Sequence, residues 1–171
     1  MFFHDQKNHQ QKNGNNMNNL EQLLNEYSES HQNKKNQIIH KICVPLIEWS
    51  LLGILWAVPS FKYMYALNWS SLFILLSLTY YSTFKNIKVI IMSSLLLVPF
   101  FIFIAFVPSQ KILLISSIVF VLAWIGQFIG HKIEGKKPSF FKDLFFLLIG
   151  PLWVIESFLN QFNKTLKNQK G

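Results

Sequence analysis

The sequence predicts an all-α protein: a polytopic membrane bundle of four transmembrane helices, followed by a C-terminal re-entrant or interfacial helix. Three observations predict this fold. Hydrophobic residues fill 51% of the 171 positions and charged residues only 14%, compared with about 25% charged residues in an average soluble domain. Four apolar stretches each approach the ~20 residues that a helix needs to cross a bilayer. Finally, the lysines fall unevenly on the loops between these stretches.

The chain divides into three parts. Residues 1–19 are polar and rich in asparagine, which predicts a disordered tail with solvated histidines at His4 and His9. Residues 20–160 form the predicted membrane-embedded domain, and residues 161–171 form a basic C-terminal tail. The domain opens with a stretch whose apolar residues recur at helical spacing, which predicts an amphipathic helix on the membrane surface or against the bundle. These residues are Leu20, Leu23, Leu24 and Tyr27.

The four apolar stretches are predicted to be transmembrane helices because only a helix satisfies its own backbone hydrogen bonds in hydrocarbon. They run over residues 42–58, 63–81, 87–107 and 112–130. Pro99 lies inside the third stretch and predicts a kink there.

A fifth apolar stretch, residues 144–159, is shorter and contains Gly150, Pro151 and Glu156. The lysines help to decide whether it crosses. If only the first four stretches cross, 14 of the 16 lysines lie on one side of the membrane and 2 on the other. If the fifth also crosses, the split becomes 11 to 5. The positive-inside rule therefore favours four crossings, with both termini in the cytosol and the fifth stretch lying against the bundle.

Composition also excludes several classes of protein. The net charge is +8, but every basic residue is lysine, and proteins that read nucleic acids usually use arginine forks, so no nucleic-acid partner is expected. The single cysteine, Cys43, excludes an internal disulfide and a cysteine-based metal clip. Because an AT-rich genome also enriches lysine, asparagine and phenylalanine, a bacterial cytoplasmic membrane is favoured over the endoplasmic reticulum.

The predicted topology brings three histidines, His31, His40 and His131, to one face of the membrane. An even number of crossings separates the first two from the third. Between His31 and His40 lies a polar run in which Asn36 is a suitable N-cap, so a turn there returns both rings to one side. Imidazole binds iron, zinc or copper, and the three rings therefore predict a transition-metal site.

The last of these histidines has polar neighbours on its own helix face. Gln127, His131 and Glu134 are spaced by four and three residues and so form one stripe. A carboxylate in this position fits a ferrous site or orients a ligand. Simpler interpretations stay open: the histidines contact headgroups, Gln127 bonds to another helix, and Glu134 pairs with Lys137.

Two further acids lie inside apolar stretches, Glu48 in the first and Glu156 in the fifth. An ionisable residue within a membrane is a functional candidate. Neither acid has a basic partner within the stretches, and a buried hydrogen bond is the favoured interpretation for both. For Glu156, the alternative that its side chain reaches a nearby membrane interface stays open.

Two motifs resemble those of a known family. One is Tyr27…His31…Asn36…His40 followed by Val44-Pro45, and the other is Trp-Ile-Gly-Gln-Phe-Ile-Gly-His at 124–131, followed by Glu134, Gly135 and Pro138. Together they resemble the 2-hydroxy-fatty-acid dioxygenases over roughly residues 20–160. The characterised fungal member of that family acts in α-oxidation in the endoplasmic reticulum. Glu134 and Pro138 each follow His131 at a spacing one residue shorter than in the fungal form. This difference indicates a different branch of the family.

The resemblance implies an Fe(II) enzyme that uses O₂ to shorten a 2-hydroxy fatty acid by one carbon at the bilayer surface, with residues 20–160 as its catalytic domain. It implies His31, His40 and His131 as metal ligands and, with Glu134, as catalytic residues. The residues expected to contact the substrate or support the ligands are Asn36, Gln127 and Lys132. Self-association stays open. The competing interpretation is a non-catalytic membrane protein that binds lipids or scaffolds partners.

Overall fold

The computed structural model describes residues 19–58, 68–135 and 147–168, and these residues contain six helices and no strand. The all-α prediction is therefore confirmed for the described part of the chain. The helices are α1 (residues 19–29), α2 (Lys34–Ala57), α3 (Trp69–Ser82), α4 (Ile87–Ala105), α5 (Ser109–Glu134) and α6 (Ile149–Asn168). All but the last residue of the predicted N-terminal tail lie outside the described residues, and α6 extends into the segment predicted as a C-terminal tail.

Three described helices are long and apolar enough to cross a membrane: Lys34–Ala57, Ile87–Ile104 and Lys111–Glu134. They coincide with the first, third and fourth predicted spans. The second predicted span, 63–81, is represented by α3, which has 14 residues and is about 21 Å long at 1.5 Å per residue. That is shorter than the ~30 Å hydrocarbon core, and residues 59–67 lie outside the described part, so the predicted count of four is not confirmed.

The start of α2 differs from the prediction. Asn33, not Asn36, is its N-cap, and the Asn33 side chain accepts a hydrogen bond from the backbone N–H of Lys35. The prediction that Asn36 caps this helix is wrong, because the cap and the start of the helix, at Lys34, each lie three residues earlier than predicted. Asn36 consequently lies within the first turn, where its side chain is fully buried.

The central contact of the bundle is the antiparallel pair α2 and α5, which approach closely at glycines. A Cβ atom added to Gly126 would lie 2.6 Å from Cys43 Sγ, and one added to Gly130 would lie 3.1 Å from the His40 ring. Gly53 lies in the same way against Ser116 on α5. Gly126 and Gly130 form a GxxxG pair, the pattern that lets two membrane helices pack at short range.

Side chains of α2 also pack into a core shared with α3, α4 and the first turns of α6. Its fully buried side chains include Leu52, Tyr81, Leu97 and Ile104. The Tyr81 hydroxyl donates to the backbone oxygen of Leu148, 2.8 Å away, and so ties α3 to the residue before α6. Residues 149–154 of the fifth apolar stretch are therefore buried against the bundle.

The Gly53 contact generates a stability prediction. Gly53→Ala is expected to destabilise the protein by about 1–3 kcal/mol, because the new methyl group overlaps the Ser116 side chain. Thermal unfolding in detergent measures the change. In a Ser116→Gly background, the same substitution is expected to cost less, and equal costs in the two backgrounds would contradict the contact.

Candidate metal centre

The structure brings His31, His40 and His131 together, although the last is far from the first two in sequence. His31 follows α1, His40 lies on α2, and His131 lies in the last turn of α5. All three are buried, and their candidate ligand nitrogens lie within 4.8 Å of one another. The centroid of the His40 ring lies 4.1 Å from that of the His31 ring and 5.0 Å from that of the His131 ring.

Backbone carbonyl groups orient two of the rings. Nδ1 of His31 lies 2.6 Å from the backbone oxygen of Tyr27, and Nδ1 of His40 lies 3.2 Å from that of Asn36. A carbonyl oxygen only accepts, so each Nδ1 carries the proton and donates it, which leaves the lone pair on Nε2. A histidine held in this way by its second nitrogen is the usual arrangement of a metal ligand.

Aromatic side chains enclose His31. The Tyr27 ring stacks on the imidazole at 4.1 Å between centroids and 14° between planes. The Trp153 ring of α6 lies 5.4 Å from the imidazole, and its Nε1–H donates to Ser28 Oγ at 2.8 Å. Residues from α1 and α6 thus position His31.

Sequence reasoning assigned no role to Trp153 or Ser28. No local signal marks these two residues, because their contact joins distant segments. For Tyr27, the spacing of four residues from His31 was a usable signal, since it places both side chains on one face of α1 extended by one turn.

Glu134, predicted as a catalytic residue, is the last residue of α5, and its carboxylate lies against the residues just before α2. Its carboxylate accepts hydrogen bonds from the backbone N–H groups of Gln32 at 2.8 Å and Asn33 at 3.0 Å. It also accepts from Asn36 Nδ2 at 2.9 Å. These donors lie at the N-terminal end of α2, which begins at Lys34. The N-terminal end of a helix carries partial positive charge, so a carboxylate there is favourable. Glu134 therefore joins the end of α5 to the beginning of α2, and its alternative partner, Lys137, lies outside the described residues.

The remaining predicted site residues differ in their placement. Asn36 connects Glu134, through its side chain, with His40, through its backbone oxygen. Gln127 is buried and lines a small cavity next to His40. Lys132 is exposed on α5. The roles predicted for these residues stay predictions.

The two acids of the apolar stretches behave differently from each other. Glu48 is fully buried, and neither of its carboxylate oxygens has a hydrogen-bond partner among the residues that the structure describes. The hydrogen bond expected there is absent within those residues. Glu156 is exposed on α6, which contradicts the buried hydrogen bond favoured for it and agrees with the alternative that its side chain reaches the membrane interface.

The donor set fits a transition-metal ion. Three imidazoles converge in a buried position, and two of them are fixed with Nε2 available as a ligand. Neutral imidazole nitrogens suit iron, zinc and copper. A site with three protein ligands also leaves coordination positions open for other molecules.

Comparison with known proteins assigns the chain to a family. The family model described as 2-hydroxy-palmitic acid dioxygenase Mpo1-like matches residues 17–162. Because this match covers most of the chain, the protein belongs to the Mpo1-like family. Neither the curated proteins nor the solved structures contain a match.

The position of Glu134 generates a prediction about metal affinity. Glu134→Ala removes the link between α5 and α2, and the affinity of the histidine site is expected to fall about 10–100-fold, as when a group that supports metal ligands is lost. Glu134→Gln keeps one acceptor oxygen and is expected to lose less. A competition titration with Co(II) and a coloured chelator measures the affinity. Glu156→Ala serves as the matched control, and equal affinity in all four proteins would contradict the link.

Proposed function

We propose that this member of the Mpo1-like family is an Fe(II)-dependent dioxygenase that shortens 2-hydroxy fatty acids by one carbon. The observation that carries the proposal is the buried cluster of His31, His40 and His131. The description of the family, a 2-hydroxy-palmitic acid dioxygenase, supports the substrate class and the type of reaction.

The three histidines would hold the ion, and the backbone oxygens of Tyr27 and Asn36 orient His31 and His40 so that their Nε2 atoms are available. A bound Fe(II) ion supplies open positions at which a 2-hydroxy acid and dioxygen can meet. The overall change balances as R–CHOH–COOH + O₂ → R–COOH + CO₂ + H₂O. The chain's own contribution is to bind, to orient and to exclude water, since the three rings are buried.

The position of the cluster suits an amphiphilic substrate. His40 lies near the start of α2 and His131 near the end of α5, so the histidines are at the ends of two candidate spans. A fatty acid keeps its tail in the bilayer and its polar head at the interface, close to such a site. Lys132 follows His131 and is exposed, and we assign it to the attraction of the substrate carboxylate.

We further propose four crossings, with both termini in the cytosol. Three crossings by α2, α4 and α5 alone would put His40 and His131 on opposite faces, whereas their rings are 5.0 Å apart. This proximity supports one further crossing between α2 and α4, and α3 is the described helix between them. The lysine distribution independently favours the same arrangement.

Activity is the first test of the proposal. The purified protein, given Fe(II), O₂ and 2-hydroxypalmitate, is expected to yield pentadecanoate, measured by mass spectrometry. His131→Ala is expected to lose activity by more than ~100-fold, beyond the 10–100-fold cost of losing a supporting residue. His4→Ala, in the N-terminal tail, is the control. A wild type that consumes no substrate would favour the non-catalytic lipid-binding or scaffolding interpretation.

Topology has its own test. Epitope tags at the two termini are expected to be accessible to protease from the same side of the membrane, the cytosolic one. Tags protected on opposite sides would contradict the four-crossing arrangement.

A further inference from the structure

A small cavity adjoins the histidine cluster on the side of α2 and α5. It has a volume of about 20 Å³ and is lined by Tyr27, His40, Val44, Ile47, Trp124, Gln127 and Leu147. A cavity needs about 10–15 Å³ of such space to hold one water-sized molecule. There is therefore room for one small molecule and none for a segment of an acyl chain.

The wall of the cavity combines aliphatic side chains with four that carry polar atoms, those of Tyr27, His40, Trp124 and Gln127. Val44, Ile47 and Leu147 contribute aliphatic side chains, and Val44 and Ile47 are 5% and 2% exposed. A buried water molecule needs two to four polar partners, whereas an apolar cavity stays dry and takes up apolar solutes such as xenon. The aliphatic part of the wall suits a small apolar molecule, and water bound by the polar atoms is the competing occupant that the test below distinguishes.

The location of the cavity indicates which small molecule would occupy it. His40 forms part of its wall, so an occupant lies next to a proposed metal ligand. The cavity also lies between two candidate membrane spans, and dioxygen is more soluble in hydrocarbon than in water. A diatomic gas is therefore more concentrated in the bilayer around these two helices than in the surrounding water.

We propose that this cavity holds the dioxygen molecule that the reaction consumes, beside His40; this inference rests on the proposed function. Val44 and Ile47 set its size, and an enlarged side chain at either position excludes the gas.

The first arm of the test detects dioxygen without metal or turnover. The full-length protein, with isotope-labelled methyl groups and no added metal, is studied by NMR in detergent under dioxygen and then under dinitrogen pressure. Because dioxygen is paramagnetic, methyl groups beside a bound molecule relax faster. Val44 and Ile47 are expected to show a larger increase than Val89 and Leu97, which are similarly buried elsewhere.

Two results of this arm would overturn the proposal. One is an equal relaxation increase at all four residues. The other is a nuclear Overhauser effect between water and the Gln127 carboxamide with no excess relaxation at Val44, which would identify the occupant as water.

The second arm is kinetic and compares Val44→Leu with its matched control, Val89→Leu. The added methylene overfills the cavity, and the KM for dioxygen is expected to rise about fivefold or more. The KM for 2-hydroxypalmitate and kcat at saturating dioxygen are expected to stay within about twofold, since the histidines are unchanged. An unchanged KM for dioxygen in Val44→Leu would overturn the proposal. An inactive wild type would instead contradict the proposed function, and the relaxation arm alone would then decide whether the cavity takes up dioxygen.

Discussion

The close antiparallel contact of α2 with α5 is the interaction on which the rest of the site depends. Gly126 and Gly130 remove the side chains that would hold the helices apart, and His40 lies directly over Gly130. At the end of the same contact, Glu134 accepts hydrogen bonds from the backbone N–H groups of Gln32 and Asn33, immediately before α2. The glycines thus set the distance between the helices, and the carboxylate sets their register. Together they bring His131 to His40.

Part of this arrangement follows from sequence reasoning. Counting crossings is enough to place His31, His40 and His131 on one face, because the parity of the spans does not depend on side-chain detail. The helical spacing of Gln127, His131 and Glu134 also predicts one stripe on α5. Other features do not follow. Asn33 and Asn36 are both suitable caps, and the choice depends on a carboxylate about a hundred residues away. Trp153 reaches His31 only because α6 packs back onto the bundle.

Most buried serine hydroxyl groups within the apolar helices donate a hydrogen bond to a backbone oxygen of their own helix. Ser50, Ser77 and Ser93 each donate to the backbone oxygen four residues earlier, a pattern that lets polar side chains exist in membrane helices. Ser70 instead donates to the oxygen of Leu52 on α2. Glu48 is different, because its carboxylate has no such bond within the described part of the chain. Local backbone bonding therefore accounts for Ser50, Ser77 and Ser93. Ser116 Oγ and the Glu48 carboxylate have no hydrogen-bond partner within the described residues, and Glu48 is the ionisable group of the two.

The proposed function depends on the binding of one iron ion by three imidazoles. X-ray absorption at the iron edge of the Fe(II)-loaded protein tests this most directly, because scattering from imidazole rings counts the histidine ligands. The account predicts three histidine ligands in the wild type, from the cluster of His31, His40 and His131, and one fewer in His131→Ala. A wild-type spectrum without imidazole scattering, or the same number of ligands in both proteins, would contradict it.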